Sequence, residues 1–513
     1  MAMLTSTPEI AAAAGRFPWA LRARVGVIVL STMLAGCTVG PAFKRPIAEA
    51  PPGWSSWQGG DASLRDSEMR GNQAPVSERW YEAFDDATLN ALQARAKTAS
   101  PDLRTAALHF AQSRAQRQTA AAQRGPQVNA EAGASRQRES ERGASARLIS
   151  AIAPANGGQL VQLLSDPYNL YHAGFDASWE LDLWGRVRRS VEAADADVAA
   201  SGAALDGVRI GIAAEVARNY FELRAEQEQL RLARADLAAA EEHLELVQAR
   251  ADGGVASDLD AARQRALLAE LTAHLPELVD QEARTINQLS LLLGERPGAL
   301  QTELQARRDT AVAHALPDLA LGLPSELARR RPDIRQAEAQ LHSATAAVGV
   351  AVADLYPRIT LSGNFGFEAI DASNLTAWTS RTWAIGPSLS VPIFDRGRRR
   401  SVITLRRLQD QEAAVAYQRI VLTAWHEIDT ALSSYTAERQ RNVQLAERRK
   451  DSADAYQLAR VRYQNGMTGE LDMLDAERTL ISAERDYATS QSQLPLRLVA
   501  IYKALGGGAL ERR

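Results

Sequence analysis

Much of this chain is one stretch written twice. SWELDLWGRVRR (178–189) aligns with SLSVPIFDRGRRR (388–400) so that Gly185 falls on Gly397 and Arg186 on Arg398, an offset of 212. The same offset pairs Glu215 with Glu427, RADGGVASDLD (250–260) with RYQNGMTGELD (462–472), and Leu293-Gly294 with Leu505-Gly506. Upstream, Pro101-Asp102-Leu103-Arg104 matches Pro332-Asp333-Ile334-Arg335, and Pro126 matches Pro357, at an offset of 231. A repeat this long dictates two copies of one supersecondary unit. The 19 residues by which the offsets differ fall in RESERGASARLISAIAPANGGQLVQLLSD (138–166), whose polar, Gly, Ala and Ser content predicts a loop.

Each unit has the same order. A helix (about 102–124; 333–355) runs up to a proline, and a strand, a loop and a second strand follow. A very long helix (about 186–250; 398–464), a Gly-containing turn and a return helix (about 257–293; 470–505) complete the unit. No proline occurs from 168 to 275 or from 393 to 494. A proline inside a helix costs about 3 kcal/mol, so its absence lets both long helices run on. Pro276 is expected to kink the first return helix. The first long helix carries a seven-residue stripe, Val191, Val198, Leu205 and Ile212, resuming at Leu223, Leu230, Leu237 and Leu244. The step of eleven between Ile212 and Leu223 is a stutter. At about 1.5 Å per residue such a helix is roughly 100 Å long, suited to a rod or the wall of a tube.

The strands have two faces. In YHAGFDASWELDLWGR (171–186) every second residue is apolar, with His172, Asp176, Ser178, Glu180 and Asp182 between. RITLSGNFGFEA, TWAIGPSLSVPIF and, more weakly, PQVNAEAGAS repeat the alternation. Each is about ten residues, enough to cross a bilayer when tilted. Lys and Arg are absent from the central apolar faces, and aromatics (Tyr168, Tyr171, Trp179, Trp184, Trp383) stand near the strand ends as a girdle would. A sheet packed on helices is the alternative reading. A secretory N-terminus favours the membrane: Arg16, Arg22 and Arg24 precede a short apolar run that ends in Leu34-Ala35-Gly36-Cys37, holding the only cysteine. No run of 18 apolar residues exists. Four strands cannot close a barrel, and open edges cannot sit in lipid, so several chains must share one pore.

LAGC resembles the lipobox of bacterial lipoproteins, which implies a leader over 1–36 and lipidation (palmitate) at Cys37. WYEAFDDATLNAL (80–92), FDASWELDLWGRVRRSVEAADA (175–196), EVARNYFELR (215–224), LGLPSELARRRPDIRQAEAQLHSATAAVGVAVADLYPRITLSG (321–363) and YQNGMTGELDMLDAERTLISAERDY (463–487) resemble the outer-membrane efflux protein family, the TolC-like channels. Within it they resemble the lipid-anchored (NodT-type) channels of resistance-nodulation-division efflux pumps. The resemblance implies an α+β membrane channel: long helical hairpins forming a periplasmic α-barrel, and four strands per chain in a trimeric 12-stranded outer-membrane β-barrel. It implies a homotrimer, a periplasmic membrane-fusion adaptor, an inner-membrane transporter and outer-membrane lipid as partners. The expected divisions are 37–100 (lipidated N-terminus and equatorial segment), 101–294 (first repeat), 295–331 (equatorial linker), 332–506 (second repeat) and 507–513 (tail).

The family closes its periplasmic end on the last hairpin. By motif, Leu471, Asp472, Asp475 and Arg478 fall at the matching positions, with Tyr463 before the turn. Leu471, Asp475 and Arg478, spaced four and three apart, share one helical face, which threefold symmetry would turn into rings. Some relatives carry an Arg two residues after the turn glycine, where this chain has Thr468. Asp258 and Asp260 are weaker candidates on the first hairpin. No HExxH, Walker loop or Cys cluster is present, and the Gly506–Gly508 run follows a helix end, where glycine caps. An enzyme, a cofactor, a metal or a nucleic-acid partner is therefore not expected; the near-balanced net charge of −3 agrees. Arg329–Arg331, Arg186–Arg189 and Arg396–Arg400 are expected to be structural or to meet headgroups. The leading reading is an exit duct for drugs or other small toxic compounds. The exit channel of a type I protein-secretion system and a lipid-anchored coiled-coil scaffold are the alternatives.

Overall fold

The computed structural model describes residues 38–47, 60–64, 76–152, 156–305, 316–317 and 330–507. Ahead of the first repeat stands α1 (Ala87–Ala99); the repeat holds α2 (Pro101–Ala122), β1 (Gln127–Gln137), α3 (Ala144–Ile152), α4 (Gly157–Ser165), β2 (Tyr168–Glu180), α5 (Arg186–Asp252) and α6 (Asp258–Leu292), and α7 (Gln301–Gln305) follows it. The second comprises α8 (Pro332–Ala353), β3 (Arg358–Ala369), β4 (Arg381–Ser390), α9 (Arg398–Gln464) and α10 (Glu470–Ala504). All four ends of α5 and α6 recur in α9 and α10 at the sequence offset of 212.

Local chemistry sets these boundaries. α2 and α8 both open on proline followed by aspartate, where a missing N–H costs nothing and a carboxylate meets the helix dipole. α5, α6, α9 and α10 end on glycines with positive φ: Gly254 (74°), Gly294 (69°), Gly466 (68°) and Gly506 (82°). Each supports the paired C-terminal bonds of a Schellman turn, as in Glu295 N–H to Ser290 O (2.8 Å) with Gly294 N–H to Leu291 O (3.0 Å). α6 starts on a Ser257–Asp260 capping box. It runs unbroken through Pro276, as α10 does through Pro495.

The segment 138–166, expected to be loop, holds the two nine-residue helices α3 and α4. Composition obscured a helical spacing of Leu148 and Ile152, and of Leu160 and Leu164. The strand after Tyr168 ends at Glu180, short of the alternation in 181–184, because the Asp182 carboxylate accepts from Val187 N–H (3.0 Å) and Arg188 N–H (2.8 Å) and starts α5 instead.

Contacts divide the chain into two units, each drawing on both repeats. The first takes the described residues up to Phe43 with Arg117–Ala194 and Ser343–Asp410. It contains one antiparallel sheet in the order β1-β2-β3-β4, in register Asn129↔Asp176↔Asn364 and Ala132↔Ala173↔Phe367. Phe175, Trp383, Ile385 and Leu389 are exposed on its apolar face. Below the sheet Glu180 takes both guanidinium N–H groups of Arg186 (2.8 and 2.7 Å).

The second unit takes the described residues of 44–116, 195–342 and 411–513 and holds the main core. Trp80, Phe84, Leu89 and Leu92 pack there with Tyr220, Phe221, Ile286, Leu289, Leu498 and Tyr502. Asp86 caps α1 by accepting from Thr88 N–H (2.7 Å) and Leu89 N–H (3.0 Å), and also accepts the Tyr220 hydroxyl (2.5 Å). Burial first, and then the Asp86 carboxylate, push that hydroxyl up to about 12. Asp86→Ala loses the cap and the acceptor of the buried Tyr220 hydroxyl, which keeps only the Arg224 Nε–H (3.1 Å) as a partner. It is expected to cost about 2–3 kcal/mol, read as a lower urea midpoint at unchanged slope.

Candidate functional site: the second hairpin tip and the sheet

The turn between α9 and α10 places four of the predicted gate residues on the exposed side of α10 and leaves the fifth, Tyr463, on α9. Leu471, Asp472, Asp475 and Arg478 are all exposed, Leu471 at 56%, while Glu470, Met473, Leu474 and Glu477 between them are buried. This is the one-face arrangement that the spacing predicts. The Thr468 hydroxyl donates to the Asp472 carboxylate, so the residue standing where some relatives have Arg ties down the first turn of α10. Among the described residues the Asp475 carboxylate and the Arg478 guanidinium have no ion-pair partner within the protomer.

Tyr463 is not beside them. It is 7% exposed on the other side of the turn, with the Arg250 guanidinium 4.5 Å from its ring centroid and the His243 ring edge-on at 6.3 Å. On the first hairpin Asp260 is occupied as the capping partner of Ser257, and Asp258 begins the same helix.

His243, Glu470 and Glu477 were not picked out from the sequence. His243 is 6% exposed, Glu470 6% and Glu477 4%. His243 lies one residue before Leu244, the last position of the predicted stripe. Leu237 and Leu244 are only half-buried, and Ala233, Ala240, His243 and Val247 form the covered seam. A helix of 3.6 residues per turn drifts against a seven-residue repeat, so a stripe extrapolated this far points to the wrong side. The available signal was the seven-residue spacing of Glu470 and Glu477 on the apolar side of α10.

On the sheet, Tyr171 and Trp179 lie on the apolar face of β2, and Trp383 (68% exposed) on that of β4. Tyr168 pairs with Gln137 and by register falls on the polar face with His172 and Asp176, a correction to the expected girdle. Trp184 lies past the strand end, stacked on Tyr356 (4.9 Å) and donating its indole N–H to Pro357 O (2.8 Å). The arginine clusters are largely paired. Arg189 meets Glu192 (2.8 Å) and Arg399 meets Asp395 (3.0 Å). Buried Arg331 meets Asp333 and Glu427 (2.6 Å each) and donates to Ala504 O (2.8 Å). Cys37 and Arg329 lie outside the described residues. No described helix is long and apolar enough to cross a membrane.

Comparison with known proteins agrees with this geometry. The profile described as "Outer membrane efflux protein" matches residues 92–295 and 323–507. Outer membrane protein OprJ of Pseudomonas aeruginosa is 32% identical over 490 residues, 95% of this chain and 96% of that one. The toluene efflux pump outer membrane protein TtgI of Pseudomonas putida is 31% identical over 480 residues, 93% of this chain and 96% of that one. Among solved structures the outer-membrane channel OprN superimposes with a TM-score of 0.80 at 34% identity, covering 92% of this chain and 99% of that chain. Paired helical hairpins with a four-stranded sheet are thus the fold of a channel protein and not of an enzyme. With a family match over most of its length and relatives aligned nearly end to end, the chain belongs to the outer membrane efflux protein family.

Proposed function

We propose that three copies of this chain form the outer-membrane exit duct of a tripartite efflux pump. The duct passively conducts small toxic compounds handed over by a periplasmic adaptor and an inner-membrane resistance-nodulation-division transporter. The observation that carries this reading is the sheet. Among the described residues it has two unpaired edges, β1 and β4, and one exposed apolar face. Hydrocarbon tolerates neither edge, so the sheet must close with others, and three copies supply twelve strands. Cys37 is the proposed acylation site and 1–36 the leader. The divisions at 100/101, 294/295, 331/332 and 506/507 are the proposed repeat boundaries. A toluene pump component among the relatives supports small organic molecules as the cargo class.

The proposed periplasmic gate is the exposed face of α10: Leu471, Asp472, Asp475 and Arg478. Rings of leucine exclude water there, and rings of carboxylates set charge preference. Purified protein in planar bilayers tests both statements. Wild type is expected to show a small conductance and Asp475→Ala one severalfold larger. Silence of both proteins would favour a scaffold. In a deletion strain, drug accumulation supports the pump reading, and retention of a secreted protein in its place would assign the duct to secretion.

A further inference from the structure

The buried side of α10, opposite the proposed gate, holds three ionisable groups that no part of the duct reading uses. His243 of α5 lies between two carboxylates of α10. Its Nε2 is 3.2 Å from Glu470 Oε1 and its Nδ1 is 3.4 Å from Glu477 Oε2. All three side chains are more than nine-tenths buried within one protomer. Leu474 lies between the two glutamates in sequence and packs in a small apolar cluster with Ala240, Leu267 and Leu271. An imidazolium with one N–H for each carboxylate is the protonation state that fits two flanking acids.

We propose that His243 is a clasp that positions the gate helix: by holding Glu470 and Glu477 it fixes the rotation of α10 that presents Leu471, Asp475 and Arg478 on the opposite face. This rests on the gate reading above. His243 touches no conducted molecule, so it is a positioning residue. The first hairpin thereby holds the second, and a rotation or withdrawal of α10 must break two buried ion pairs.

The cluster also makes closure depend on one proton. Burial alone would lower the His243 pKa, but Glu470 and Glu477 overcome it and raise the group to about 9. Glu470 is held below the ordinary range in spite of burial, by His243 and the Tyr463 hydroxyl. The other groups facing the cluster are Arg250 and Asp236 of α5, Asp260 of α6, Tyr456 and Tyr463 of α9, and Arg485 of α10. Burial raises Asp236 to about 6, below the window in which His243 titrates, and moves both tyrosines above their usual value, away from it. A histidine raised in this way stabilises fully below its ordinary pKa of 6.5, and the stabilisation is lost as pH rises through about 9.

The test is planar-bilayer conductance of the purified full-length protein from pH 7 to 10. Trimer assembly is checked on gels for wild type, His243→Gln, His243→Arg, the paired Glu470→Gln/Glu477→Gln and Asp475→Ala. Wild type is expected to be closed at pH 7 and to open as pH passes about 9. The conducting fraction should rise roughly tenfold for each pKa unit by which opening weakens the clasp. His243→Gln and the paired glutamine variant should be open already at pH 7 with no alkaline step, while His243→Arg should lack the step because its charge persists. If Asp475→Ala opens the channel but His243→Gln stays as closed as wild type, the clasp is wrong and the gate stands. If wild type shows no alkaline step while His243→Gln is open, the proton dependence is overturned. If Asp475→Ala also stays closed, the gate reading itself fails.

Discussion

Trp80→Ala is expected to destabilise the folded protomer by about 3–5 kcal/mol, the cost of removing a large aromatic from a packed core. Trp80 is 3% exposed and stacks on Tyr502 of α10 with ring centroids 5.0 Å apart and planes 18° from parallel. Phe84 lies edge-on to it at 6.3 Å and packs in turn on Phe221 of α5 at 4.8 Å. One indole thus fastens the segment before α1 to the last helix, and its loss leaves a void shared by elements far apart in sequence. Trp80→Phe keeps much of the stack and should cost about half as much. Urea unfolding of the detergent-solubilised protein, followed by circular dichroism, reads both values. A Trp80→Ala cost below 1 kcal/mol would show that this core relaxes into the void and is not the anchor of the unit.

How much of this was legible before any coordinates depends on how local the cause is. Both long helices end within two residues of the expected bounds because their stops are local, turn glycines that accept positive φ, and α6 starts where a serine and an aspartate are spaced as a capping box. Strand faces followed directly from alternation, since a side chain's face is fixed by parity once pairing is set. Parity also explains the error at Tyr168, which was grouped with Tyr171 by proximity although the step between them is three positions, an odd number that puts them on opposite faces. The helices α3 and α4 were hidden by composition. The exposed face of α10 proposed as the gate could be drawn from spacings of three and four because it spans barely two turns. His243 could not: its burial depends on the phase accumulated along some sixty residues of α5, where a small error in pitch exchanges it with Leu244.

The sheet offers the second large effect. Gly366→Val is expected to abolish stable barrel assembly, whereas Gly386→Val on the same face should assemble as wild type does. Gly366 and Gly174 face each other in the β2–β3 register. A Cβ on Gly366 would lie 2.8 Å from the Ala173 carbonyl oxygen and 3.0 Å from the Gly174 Cα, and both are backbone atoms that no rotamer change can move aside. The strands must separate or slip. A slip of β3 by one residue exchanges the polar and apolar faces of that whole strand, placing Asn364 where Phe365 now lies. Overpacking alone costs about 1–3 kcal/mol, and in lipid each ladder bond that separation breaks adds to it because no water replaces the partner. At Gly386 an added Cβ meets nothing within 4 Å, so the same change of residue lacks the clash. Heat-modifiable trimer in outer-membrane fractions, compared on semi-native gels, separates the two variants. If Gly366→Val assembled as well as Gly386→Val, the β2–β3 pairing could not be as close as this register requires, and the closed barrel would have to be built on another one.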